Sequence, residues 1–216
     1  MNVLIFGATG AAGTSVLAAC LSSPAVGEVR AIARRRPAVS HEKLRVILHE
    51  DFQDYSASVH AFERIDACLF CLGVSVTQVS QEPAYRRITH DFAMAAARAL
   101  KTTSPGAAFH YISGYGTDVN SRQMWARVKG ETERELIDLV GSVCWRPAFI
   151  DTPPSESEPA LYRTLKPLFR LLKPFRNWYV AGEHLGRAML QTTVDGVRGR
   201  VIENAEIREI AARSRI

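Results

Sequence analysis

The chain has 216 residues, 47% hydrophobic and 23% charged, which suits one ordinary globular domain whose core needs no covalent staples. Its 27 Lys and Arg against 22 Asp and Glu leave a net charge of +5, spread along the chain without a recognition motif, so nucleic acid is set aside as a partner. No apolar run reaches the ~20 residues that span a bilayer, the four cysteines make no disulfide framework, and the N-terminus carries no basic leader, so the cytoplasm is the expected compartment.

Val3–Phe6 is a compact apolar run ending at Gly7, hence a buried strand, and Ala11–Leu21 is a short helix stopped by Ser22-Ser23-Pro24. Strands are predicted at Val29–Ala33 and Leu44–Leu48, then a short helix over Tyr55–Phe62 and an apolar strand over Ala67–Leu72. Cys68 and Cys71 have CxxC spacing but sit inside that strand, which favours packing over redox or metal chemistry. A long helix follows over Pro83–Leu100, a strand over Ala107–Ile112, a helix over Arg122–Val140 and a strand over Val143–Trp145. Strands without polar alternation, separated by helices, give an α/β fold: a Rossmann-like doubly wound parallel sheet with helices on both faces. The Pro-rich stretch from Thr152 to Pro159 is a soft boundary. Residues 1–216 therefore read as one domain, with a core of 1–150 and a small C-terminal cap of 151–216 that includes a last helix over Gly182–Thr192. Within the cap, Leu161–Trp178 is basic and amphipathic, best read as a cap helix interrupted at Pro167 and Pro174. The six histidines show no metal spacing, no metal site is expected, and His110 reads as structural.

Gly7, Gly10 and Gly13 form a GxxGxxG turn between a strand and a helix. Gly7 permits the tight turn, Gly10 lets the backbone approach a pyrophosphate, and Gly13 lets helix and strand pack closely. Thr9, Ala11 and Ala12 line the phosphate path at the helix N-terminus. After the second strand, where a carboxylate would hold the ribose 2′-hydroxyl of NAD, the chain reads AIARRRP. Arg34, with Arg35 in reserve, can instead pair with a 2′-phosphate, so NADP(H) is favoured over NAD(H). Asp51 can accept from the adenine amino group, Phe52 can cover the ring, and Cys71, Leu72 and Gly73 bring the fourth strand's end close to the ligand.

These motifs, with YIS at Tyr111–Ser113, VKGETE at Val128–Glu133 and WRP at Trp145–Pro147, resemble the atypical branch of the short-chain dehydrogenase/reductase superfamily, and within it the group related to human Tat-interacting protein. The resemblance implies a nicotinamide cofactor reaching Pro147, and either an oxidoreductase or epimerase role or an NADPH-responsive regulatory one. It also implies a catalytic Ser at Ser113 and Lys at Lys129, but Trp125 stands where the YxxxK tyrosine belongs. An indole N–H can donate a hydrogen bond but cannot act as the general acid. Tyr115, in ISGYG, is a candidate replacement. Two functions remain: an NADP(H)-dependent oxidoreductase on a small carbonyl or alcohol, or a cofactor-sensing regulator or scaffold without the proton donor. An epimerase on a nucleotide sugar is weaker because the cap is short. The substrate is unknown, and a homodimer or protein partner stays open.

Overall fold

The computed structural model describes residues 1–152 and 170–216. Among these residues, seven strands make one parallel sheet. They are β1 (Asn2–Phe6), β2 (Glu28–Ala33), β3 (Leu44–Leu48), β4 (Ala67–Phe70), β5 (Ala108–Ile112), β6 (Val143–Arg146) and β9 (Arg200–Glu203), in the order β3-β2-β1-β4-β5-β6-β9. The connections run one way from β1 to β3 and then the other way from β4, so the winding reverses between β1 and β4, where a crevice opens beyond the strand ends. β4 is buried along its whole length and β1 from Val3 to Phe6, as strands apolar on both faces require. β7 (Phe149–Asp151) and β8 (Tyr179–Ala181) form a separate two-stranded parallel sheet.

Helices cover both faces. α1 (Ala11–Ser22), α5 (Gly182–Val194) and α6 (Asn204–Arg213) pack a core that includes Val16, Leu17, Leu185, Met189 and Ile207. On the other face a 3-10 segment (Ser56–Phe62), α3 (Phe92–Thr103) and α4 (Met124–Val140) enclose Phe62, Phe70, Phe109, Met94 and Leu136. α5 lies close against α1 because Gly182 and Gly186 have no side chain: a Cβ at either would stand 2.4 Å from Ser15 Oγ or 2.5 Å from Ala19 Cβ.

The six predicted strands are present with small shifts at their ends. The predicted Tyr55–Phe62 helix is the 3-10 segment, a tighter winding than expected. The long predicted helix is broken in hydrogen-bond pattern: α2 (Glu82–Arg86) passes through a π turn (Arg87–Asp91) into α3. The largest difference lies near the C-terminus. Arg200–Glu203, read from the sequence as part of a cap, is the seventh strand of the main sheet, with Cys144 beside Val201. Its short edge sequence, RVIE, buries only Ile202, which explains why its periodicity is silent. Of the basic amphipathic stretch, residues 161–169 lie outside the described residues, as do Pro153–Pro159 and Pro167; Arg170–Leu172 is a single 3-10 turn.

Candidate functional site

The glycine turn follows β1 at the winding reversal. Gly7 has φ +72°, and a Cβ there would meet the backbone of Cys71 and Leu72 at 2.7 Å. A Cβ on Gly13 would stand 2.0 Å from the Gly7 carbonyl oxygen. Both positions are closed to any side chain by backbone atoms, which do not yield as a flexible side chain would. Gly10 donates its N–H to Gly7 O at 2.9 Å and enters α1 without a capping side chain or an acidic residue in the first turn. The positive end of the helix is therefore uncompensated by the protein.

Next to this turn lies a cleft of about 1160 Å³. Gly10, Ala11 and Ala12 form part of its wall, and Arg34 and Phe52 close the side where β2 and β3 end. Cys71, Leu72 and Gly73 continue it from β4. A Cβ on Gly73 would meet nothing within 4 Å, so protein packing does not explain the glycine and the space beside it is open for a ligand. The floor at Phe52 is aromatic: its ring meets Phe6 at 6.3 Å, His49 at 5.7 Å and Phe92 at 5.6 Å.

Lys129 is the only residue of the predicted catalytic set in the cleft wall among the described residues. It extends from α4 and donates from Nζ to the Ser113 carbonyl oxygen at 2.5 Å. Burial pushes its ammonium down to about 8, against a smaller opposing pull from Glu133 one turn along. Glu133 is buried and held by a two-pronged contact from Arg146, Nε to Oε1 at 3.0 Å and Nη2 to Oε2 at 2.6 Å. Arg146 also reaches Glu203 at 3.1 Å, so α4 is tied to the edge of the sheet directly behind Lys129.

The other catalytic candidates do not converge on the cleft. Ser113 is buried, and since the Thr117 hydroxyl donates to Gly114 O at 2.8 Å, the Ser113 hydroxyl donates to Thr117 Oγ1 at 2.9 Å. Tyr115 packs against Trp178 with ring centroids 5.0 Å apart, in a separate recess with Asn177 and Asn204, and is not brought together with Lys129 in the cleft wall. Its loop is pinned by the Tyr115 N–H to Pro147 O at 2.9 Å and turns at Gly116 with φ +81°. Pro147 is buried and enters through that carbonyl rather than the cleft wall. Trp125 packs toward Gly116, where a Cβ would be 3.6 Å from its ring.

Three further predicted positions stand apart from the cleft wall. Thr9 and the exposed Arg35 do not reach it. Asp51 turns its carboxylate onto the Gln53 N–H at 3.0 Å, and its neighbour Glu50 lines the wall instead. Arg87 is the other charged wall residue that sequence reasoning missed. Its only sequence signal is its place within an apparently regular helix, and the π turn that aims it is invisible to periodicity.

His110 is a core residue. The Trp145 indole donates to its Nδ1 at 3.1 Å, which fixes the hydrogen on Nε2, and Nε2 donates to Thr193 Oγ1 at 2.9 Å. Burial pushes it down to about 3, so it is neutral and structural.

No family model matches the chain. The chain is 24% identical over 218 residues to "Protein fmp52, mitochondrial" of Emericella nidulans, covering 95% of this chain and 92% of that protein. It is 28% identical over 139 residues to "Protein FMP52, mitochondrial" of Eremothecium gossypii, covering 64% of this chain and 61% of that protein. Among solved structures, an oxidoreductase of the short-chain dehydrogenase/reductase family from Burkholderia thailandensis matches with TM-score 0.75 at 16% identity, over 96% of this chain and 92% of the other. MoeE5 in complex with UDP-glucose and NAD matches with TM-score 0.70 at 16% identity, over 98% and 81%. The resemblance to the short-chain dehydrogenase/reductase superfamily thus holds in the fold. The narrower likeness to the Tat-interacting-protein group gains no support from relatives that carry a different name. The cytoplasmic expectation is overturned, since these relatives are named mitochondrial; composition carries no signal that separates the two compartments. Among the described residues no helix is long and apolar enough to cross a membrane.

Proposed function

We propose that the chain is an NADP(H)-binding oxidoreductase-like protein acting on a small carbonyl or alcohol substrate, placed in mitochondria as its relatives are named. The observation that carries the reading is one cleft lined together by the glycine turn at Gly10–Ala12, by Arg34 and by Lys129. The cradle fits a dinucleotide: an uncapped helix end faces the phosphates, Gly73 leaves open space, and Phe52 offers an aromatic floor. In this reading Gly7 and Gly13 hold the turn in shape, Ala11 and Ala12 donate backbone N–H groups to the pyrophosphate, and Arg34 meets the 2′-phosphate. A bound nicotinamide would supply the hydride. Lys129, held by Ser113 O, positions the adjoining ribose hydroxyls through its ammonium.

A second reading is favoured by the scattered acid set: a cofactor-sensing protein that binds without turnover. Ser113 spends its hydroxyl on Thr117, Tyr115 faces another recess, and the Trp125 indole N–H is a donor too weakly acidic to act as a general acid. The two readings separate by following NADPH oxidation with a panel of small aldehydes and ketones, on the wild-type chain and on Trp125→Tyr. Turnover by the wild-type chain supports the oxidoreductase reading, and turnover confined to Trp125→Tyr supports the sensor reading, with Trp125 marking the lost acid. NADPH binding without turnover in both leaves the sensor reading, and absence of NADPH binding defeats both.

A further inference from the structure

Besides Lys129, three charged side chains line the cleft: Arg34 just past β2, Glu50 just past β3, and Arg87, whose Nε bonds Gln53 a few residues past β3. Arg34 and Glu50 alone cancel, and a carboxylate at that place would repel a phosphate. Arg87 tips the balance to positive, and it comes from a different element, the first residue of the π turn. That turn changes what the wall contains. Pro83, Ala84, Arg87 and Ile88 follow one helical face, yet the next wall residue is Phe92, not Asp91. The wider winding turns Asp91 aside, where its carboxylate bonds His90 Nδ1 at 2.8 Å, and brings an aromatic ring in its place.

Arg87 is held but not neutralised. Its Nε donates to Gln53 Oε1 at 3.0 Å and its guanidinium carbon lies 5.9 Å from the centroid of the Phe92 ring. These contacts steer the exposed guanidinium, and among the described residues neither terminal nitrogen has a hydrogen-bond partner. Its neighbours differ: Arg86 pairs with Glu131 and Arg127 with Glu82 at 2.8 Å, whereas Arg87 has no carboxylate partner among the described residues. An arginine steered by an amide and a ring, in a cleft wall and without a counter-ion, is arranged for an anion that arrives with a ligand.

We propose that Arg87 is the second phosphate-reading arginine of the cleft, closing with Arg34 on the 2′-phosphate of the adenosine ribose. The inference rests on the dinucleotide reading above and adds to it: preference for the phosphorylated cofactor comes from two elements, the end of β2 and the π turn, with Glu50 opposing them.

The test is titration of the full-length chain with NADPH, NADH, adenosine 2′,5′-bisphosphate and 5′-AMP, comparing wild type with Arg87→Gln, Arg87→Lys and Glu50→Gln, each checked for native circular dichroism. Loss of a charge-assisted phosphate contact predicts that Arg87→Gln weakens NADPH and adenosine 2′,5′-bisphosphate about tenfold while NADH and 5′-AMP stay within about twofold. Arg87→Lys falls between, and Glu50→Gln tightens the phosphorylated pair. Equal weakening of all four ligands, or no change in any, overturns the Arg87 assignment while leaving the dinucleotide reading standing. Failure of the wild-type chain to bind either dinucleotide overturns that reading and the Arg87 assignment with it.

Discussion

The two ends of the cleft are built by different means. At the glycine turn the geometry is made of backbone: a Cβ on Gly7 or Gly13 would stand 2.7 Å or 2.0 Å from backbone atoms, and the helix end supplies the polarity. At Lys129 it depends on side chains meeting, and there only Lys129 lines the wall, while Ser113 and Tyr115 are committed elsewhere. Backbone-built geometry survives most substitutions outside the glycines, whereas a proton-transfer set can be undone by one, and Trp125 stands where the resemblance expects the tyrosine of such a set. In the proposed reading the two ends can therefore change independently.

The largest effect should come from breaking the backbone-built end. Gly7→Ala combines a positive φ with a 2.7 Å collision, so a loss of about 4 kcal/mol is expected from strain and overpacking together. Urea denaturation would read it, and a variant as stable as wild type would mean that the turn relaxes freely. Next comes acid sensitivity, which should reside in the core and not in the cleft. His110 titrates at about 3 when folded, below its unfolded value of about 6.5, so it takes up a proton only on unfolding. Its contribution is complete above about pH 6.5 and is lost as pH falls toward 3, amounting to about 3 kcal/mol at pH 4.5. Denaturation between pH 7 and 4.5 should show this slope, and His110→Gln should flatten it.

The Lys129 end should show the reverse trade. Its folded value near 8 lies below its unfolded value near 10.5, so the native state carries a cost below about pH 8 that is relieved as pH rises through that window. Lys129→Met should therefore stabilise the chain by about 1 to 3 kcal/mol at pH 7 while weakening dinucleotide binding. A variant that loses stability instead would make Lys129 a structural anchor through Ser113. The smallest effect belongs to Tyr115→Ala, which should leave dinucleotide affinity unchanged within about twofold, because its ring packs on Trp178. A marked loss of affinity would return Tyr115 to the cleft.

The division between the two ends also governs what was legible in the sequence. The strand-glycine-helix unit announces itself because its residues are adjacent and each glycine has a local reason. β1, β4 and β5 were readable as buried apolar runs, and β3, at the other edge, because LRVIL is apolar at four of five positions although only Leu44 is buried. β9 was not, since one buried residue in a four-residue edge strand has no period, and α6 followed it into obscurity. At the site, Arg34 was legible from its place after β2, and Lys129 from the resemblance to a YxxxK motif. Glu50 was missed by a single residue, since which of two adjacent acids faces the cleft is decided by the turn after β3. Arg87 was hidden because its aim depends on a π turn, and the withdrawal of Ser113 depends on a hydroxyl from Thr117 that motif spacing cannot report.

We propose that the cleft holds a nicotinamide dinucleotide and prefers the phosphorylated form through Arg34. The most direct test is a fluorescence titration of the wild-type chain and Arg34→Gln with NADPH and NADH. NADPH should bind wild type at least about tenfold more tightly than NADH, the size of one charge-assisted phosphate contact, and Arg34→Gln should markedly narrow the gap. Equal affinities in the wild-type chain would contradict the role of Arg34, and no binding of either would contradict the site itself.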